Sequence, residues 1–213
     1  VLTDPEQALS ARPDLRSALL TAADRLLRER GAQAVTTREI ARAAGCSDGA
    51  LYVHFRAKAD LLAAVCERWL PDLVSAVGSL TERVGTATVA DNLAEIARVA
   101  LRTYREMVPS MFAIAGDQEL LGHHRAAVRA AGRGPRNGIR AIASYLAAEQ
   151  RLGRVRGDAD ITMAATVLLG SCWQRAATGY YFDEDILPMD DTAFASGLAA
   201  VMTCGLQPGG EHG

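Results

Sequence analysis

Cysteines and long apolar runs are both scarce in this chain, and each scarcity removes a class of protein. The four cysteines (Cys46, Cys66, Cys172 and Cys204) stand far apart, with neither the C-x-x-C spacing of a metal or redox site nor a disulfide framework. Buried thiols in a reducing cytoplasm are the expectation. No apolar run approaches the ~18 residues that a membrane-spanning helix needs. The opening V-L-T-D-P-E-Q lacks the basic and then apolar pattern of a secretory leader, so the expected location is cytoplasmic. The net charge of −2 excludes a general basic coat for nucleic acid. Also missing are G-x-S-x-G, H-E-x-x-H and a phosphate loop, since G-R-G-P at 132–135 follows no strand and has the wrong glycine spacing.

Hydrophobic residues make up 49% of the 213 positions, enough for one large core or two modest domains. Their spacing is helical throughout, and no stretch alternates like a strand for more than a few residues. Pro13 suits a first helical position, and Leu15, Leu19, Ala22, Ala23, Leu26 and Leu27 recur on one face until Gly31. Further helices are expected over 59–70, ended or kinked by Pro71, and over 93–107, broken by Pro109. Two more are expected at 117–131 and 135–152. Asp158 or Asp160 should cap a helix to about Thr178 that is apolar on nearly every side, and Asp190 and Asp191 should open the last. The acidic run Asp183-Glu184-Asp185 reads as solvated charge.

Charge is not evenly spread. From Ala11 to Lys58 nine basic residues face five acidic ones, a local surplus of +4. Within this stretch, Thr36 and Glu39 have the spacing of a capping box, so a helix should begin near Thr37. Gly45 should end it with a positive φ, and Ser47 should cap a second helix. Ile40, Ala41 and Ala44 then face inward on the first helix, and Leu51 and Phe55 on the second. Asp48, Gly49, Ala50, Tyr52, Val53 and His54 remain outside, on the surface that a helix-turn-helix lays in the major groove.

The run T-T-R-E-I-A-x-x-A-G-x-S-x-G-x-L-Y-x-H-F-x-x-K, from Thr36 to Lys58, resembles the N-terminal DNA-binding domain of the TetR family of bacterial transcriptional regulators. The resemblance implies DNA contacts from Thr37 and Arg38 on the first motif helix and from Asp48, Gly49, Ala50, Tyr52 and His54 on the second. Ser47 joins them at its cap, and Lys58 matches a lysine that opens the fourth helix and grips a phosphate. Arg38, Tyr52 and Lys58 are expected to hold phosphates, leaving base choice to Thr37, Asp48, Gly49 and Ala50. Cys46, Asp48 and Ala57 depart from the usual pattern. Asp48 matters most, because a carboxylate repels phosphate and can only accept, for example from a cytosine amino group.

The expected fold is all-α: a flexible arm (1–11), a three-helix helix-turn-helix DNA-binding domain (12–57), a larger helical ligand-binding and dimerisation bundle (58–205) and a disordered tail (206–213). The last two helices should pair with a second copy as a four-helix bundle, with Gly170, Ser171, Gly197 and Ala199 permitting close approach. Tyr104, Met107, Met111, Phe112, His124, Trp173 and Gln174 are the expected lining of a site for a small, largely apolar effector. His123 and His124 point about 100° apart on a helix and do not form a metal pair. No cofactor, metal or membrane is expected. The function implied is a repressor released from a palindromic operator by its effector. The alternatives are a DNA-binding protein gated by a protein partner, and a helical-bundle enzyme.

Overall fold

The computed structural model describes residues 14–132 and 134–206. The expected arm, Arg12 and Pro13, Arg133, and the tail beyond Leu206 lie outside the described residues. The described chain is helical, without strands. Its helices are α1 (Leu15–Ala34), α2 (Thr37–Ala43), α3 (Asp48–His54), α4 (Lys58–Glu67), α5 (Leu70–Gly78), α6 (Val89–Ala115), α7 (Gln118–Ala130), α8 (Pro135–Arg151), α9 (Ile161–Phe182) and α10 (Asp191–Leu206), with a 3₁₀ turn over Ser79–Arg83. None of these helices is long and apolar enough to cross a membrane.

The chain divides into two compact units. The first takes the chain through Glu67 together with Pro109–Ala127, and the second takes Arg68–Val108 and the chain from Val128 onward. In the first, the apolar stripe of α1 (Leu19, Ala23, Leu27) meets Ile40 and Ala41 of α2, Leu51 of α3, and Leu61, Leu62 and Val65 of α4. Ile114 and Leu120 belong to the same core. Asp24 is buried in this unit, where it accepts from the Ser110 hydroxyl at 2.9 Å and from Arg28 Nε at 3.1 Å. A buried carboxylate with two donors is satisfied rather than stranded.

In the second unit α5, α6, α8, α9 and α10 surround a core that includes Leu80, Leu93, Ile96, Leu101, Tyr145, Leu146 and Leu168. Cys172 lies in the same core, and burial pushes its thiol up to about 12, so it stays protonated and unreactive. Glu149, fully buried on α8, accepts from the Gly85 N–H at 3.1 Å and lies 3.4 Å from Arg154 Nε. Asn92 donates to the Tyr145 hydroxyl at 3.0 Å and to the Thr86 carbonyl. These bonds fix the 84–88 turn against α8.

Several expectations are corrected. Gly31 breaks the α-helical path at φ 74°, ψ 164°, but the segment continues to Ala34. The helix expected over 59–70 ends earlier, at Glu67, and Pro71 stands in the first turn of α5, where its missing N–H costs nothing. Pro109 lies inside α6, which runs unbroken for 27 residues. A proline removes one backbone bond and crowds the carbonyl four residues back. Buried residues on both sides of it (Leu101, Tyr104 and Val108 before, Ile114 after) hold the helix regardless.

Asp160, not Asp158, caps α9 by accepting from the Met163 N–H at 2.9 Å, and α9 runs on to Phe182. It is not apolar on all its buried side, because Arg175 is only 4% exposed. Arg175 Nε donates to Asp191 at 3.1 Å and Nη2 to the Met189 carbonyl at 2.6 Å. Arg105 of α6 donates twice to the same Asp191, at 2.8 and 2.7 Å, and to Asp185 at 3.2 Å. Asp185 is therefore part of an ion-pair cluster and not merely solvated. Burial pushes the Asp191 carboxyl up, but the bonds from Arg105 and Arg175 outweigh it and hold the group below its ordinary value.

Candidate nucleic-acid interface

Two helices of seven residues each cannot stand alone in water, so their ends and their core must fix them. The Thr36 hydroxyl accepts from the Glu39 N–H at 3.2 Å, and the Glu39 carboxylate accepts from the Thr36 N–H at 2.9 Å. Arg30 Nη1 donates to the other oxygen of Glu39 at 2.9 Å. The Thr36 backbone bond, with Arg30, holds the Glu39 carboxyl down at about 2. At the far end of α2, Gly45 takes φ 74°, and the Cys46 N–H donates to the Ala41 carbonyl at 2.9 Å. Ser47 then caps α3 by accepting from the Ala50 N–H at 3.3 Å.

With the ends closed, Ile40, Ala41, Leu51 and Phe55 are buried and Ala44 is half-buried against them. What α3 presents outward is Gly49, Tyr52, Val53 and His54, with Asp48 and Ala50 partly covered. Val53 is 83% exposed. The Tyr52 hydroxyl lies 3.3 Å from the Thr37 hydroxyl, which joins the outer faces of α2 and α3.

The structure adds two pairings to the expected contact set. Arg38 Nε donates to Asp48 Oδ2 at 3.0 Å, so these two residues meet each other. Lys58 Nζ donates to the Ala32 carbonyl at 2.6 Å, which uses one of its three donors and leaves two. Ala57, where a capping hydroxyl or amide is missing, still donates its N–H to Asp60 at 3.1 Å, so half of a capping box survives at α4.

Residues 19–65, the span just described, match the family model of bacterial regulatory proteins of the tetR family. These residues are similar to the DNA-binding domain of the TetR family. Curated relatives extend the likeness past this domain. The transcriptional repressor KstR2 of Rhodococcus jostii is 33% identical over 119 residues, 56% of this chain and 56% of that protein. The transcriptional activator FasR of Mycolicibacterium smegmatis is 35% identical over 97 residues, 46% of this chain and 42% of that protein. The chain thus spans about half the length of the curated relatives it matches. Among solved structures, the regulator FadR of Bacillus subtilis in complex with stearoyl-CoA shares the fold at a TM-score of 0.64, with 16% identity over 90% of this chain and 99% of that one.

The seven residues expected to line an effector site fall in both units. In the second, Tyr104 is buried and meets Trp173 edge to face, with ring centroids 5.4 Å apart at 81°. Met107 packs against the same core, while Gln174 is exposed. In the first unit, Met111 packs against the core, Phe112 is exposed, and the half-buried His124 has a buried Nδ1 without a hydrogen-bond partner among the described residues. Burial lowers the basicity of His124, against the pull of Glu67. His123 is exposed, its Nδ1 2.9 Å from the Glu119 carbonyl.

Two open concavities lie elsewhere. One, of about 410 Å³, is lined by residues that include Val89, Arg154, Val155 and Leu206 in the second unit. The other, of about 330 Å³, is lined by Gln118, Glu119, Gly122, His123 and Ala126 in the first. Neither contains any of the seven residues.

Proposed function

We propose that this chain is a cytoplasmic, DNA-binding transcriptional regulator of the TetR family. It binds as a homodimer to a roughly palindromic operator and is released by a small, largely apolar effector held in its helical part. The observation that carries the reading is the α2–turn–α3 unit. Both helices are capped by side chains, their inner faces are fully buried, and Tyr52, Val53 and His54 stand outside the core that holds the unit together. Thr37, Arg38, Ser47, Asp48, Gly49, Ala50, Tyr52, His54 and Lys58 form the contact surface, with Lys58 on a phosphate. In a helix-turn-helix dimer two such surfaces reach half-sites about one helical turn, ~34–36 Å, apart.

The exposed faces of α9 and α10 support the dimer. Met163 and Val167 on α9, and Ala193, Ser196, Gly197, Ala200 and Val201 on α10, follow helical spacing and are exposed. Nothing lies within 4 Å of where a side chain would begin at Gly170 or Gly197, so another helix could approach closely there. Ala199 faces inward and belongs to the chain's own core, so it is not part of that face.

An apolar effector is supported by the stearoyl-CoA held by the related FadR, and by large apolar side chains beside polar ones at Tyr104, Met107, Trp173 and Gln174. Met111, Phe112 and the unpartnered Nδ1 of His124 are the corresponding candidates in the first unit. Repression is the sign of KstR2, whereas FasR is an activator. No enzymatic step is proposed.

The test is selection of duplexes from fragmented bacterial genomic DNA at low salt, followed by footprinting and a measurement of mass on and off DNA. A two-fold symmetric footprint bound by a dimer is the expected result. Indifference to every duplex, or a stable monomer, overturns the proposal.

A further inference from the structure

The Arg38–Asp48 pair changes the role of both residues. Asp48 is the first residue of α3, and the N-terminal part of a recognition helix is the part that meets base edges. A lone carboxylate there would face phosphate repulsion from the duplex. Its Oδ2 instead accepts from Arg38 Nε at 3.0 Å, which makes the two side chains together neutral. The Arg38 side chain is 86% exposed, and its terminal nitrogens meet no partner among the described residues. With Nε occupied, Nη1 and Nη2 remain as a parallel fork. In the major groove guanine is the base that offers two adjacent acceptors, O6 and N7, to such a fork.

We propose that Asp48 contacts no base and that it positions Arg38, whose Nη1 and Nη2 recognise one guanine in each half-site. This rests on the DNA-binding reading above. It reassigns Arg38 from phosphate contact to base recognition and Asp48 from base recognition to positioning. A neutral pair releases few counterions, so the pair contributes little to the salt dependence of binding, unlike Lys58.

The experiment uses the full chain with its selected operator and a set of duplexes in which every base pair of one half-site is replaced in turn. Arg38→Ala is expected to abolish a preference of about tenfold or more at a single G·C pair, and Arg38→Ala combined with Asp48→Ala, which removes a neutral pair, is expected to leave the salt slope nearly unchanged. Asp48→Ala should weaken the preference at that same pair, and adding it to Arg38→Ala should change nothing further at that position. Asp48→Asn, which can still accept from Nε, should restore part of the preference, an outcome that loss of folding would not produce. The inference fails if Asp48→Ala alters preference at a different base pair, which would make Asp48 a reader in its own right. It also fails if the double variant lowers the salt slope by about one unit while base preference is kept. Were the wild-type chain to select no duplex at all, the DNA-binding reading itself would fall, a result distinct from either of these.

Discussion

Glu39 accepts from the Thr36 N–H, from Arg30 and from the Thr36 hydroxyl, so its charged form is held in place three ways. A folded-state value of about 2, against an ordinary 4.5, means that the unfolded chain binds the proton more readily. The stabilisation is therefore complete above pH 4.5 and disappears as the pH falls towards 2. Glu39→Gln should unfold at a lower temperature than wild type at about pH 6, and the two melting curves should converge near pH 2. Thr36→Ala removes the reciprocal hydroxyl and should cost about 1 kcal/mol in denaturant unfolding. For Lys58→Ala, binding should weaken on every duplex alike, and the plot of log affinity against log salt should flatten by about one unit. Thr36 and Glu39 were readable in advance because capping is a matter of spacing along a single stretch of chain, and Lys58 through the family resemblance. The Arg38–Asp48 contact was not. It joins positions ten apart on two helices, and only the crossing of α2 and α3 decides which carboxylate meets which guanidinium.

The helices themselves were mostly visible as periodicity, and the exceptions have physical causes. Pro109 carried a strong local signal to stop, yet the apolar face of α6 is buried before and after it and outweighs one lost backbone bond. Arg175 was hidden by its surroundings, since one charged residue among Ile161, Leu168, Leu169 and Cys172 barely disturbs an apolar pattern. Its partners lie far away in sequence, at Asp185 and Asp191, with Arg105 completing the cluster from α6. This cluster ties α6, α9 and the start of α10 together. Arg175→Met keeps the volume but leaves Asp191 with Arg105 alone and the Met189 carbonyl without its donor. A loss of about 3 kcal/mol in denaturant unfolding is expected, with the helical circular-dichroism signal retained in the folded baseline.

Considered as a whole molecule, the chain exposes on α9 and α10 an apolar face that one copy does not cover, and Val201, 75% exposed, belongs to it. Val201→Glu would place a charge where a partner helix is proposed to pack. Sedimentation should then show a monomer, and operator binding should fall with it, because each half-site would have to be bound alone.

The membership of the first unit carries a further consequence. Asp24 lies on α1, yet the hydroxyl that satisfies it comes from Ser110, and Ile114 and Leu120 fill the same interior. A fragment ending at Glu67 would therefore keep every residue of the contact surface and still leave a carboxylate stripped of one donor and an apolar gap open to water. Expressed by itself, such a fragment should melt well below the intact chain, whereas one extended to Ala127 would regain the missing interior. Because the polypeptide departs from this unit and later returns to it, a single proteolytic cut near Glu67 is not expected to release an autonomous DNA-binding module.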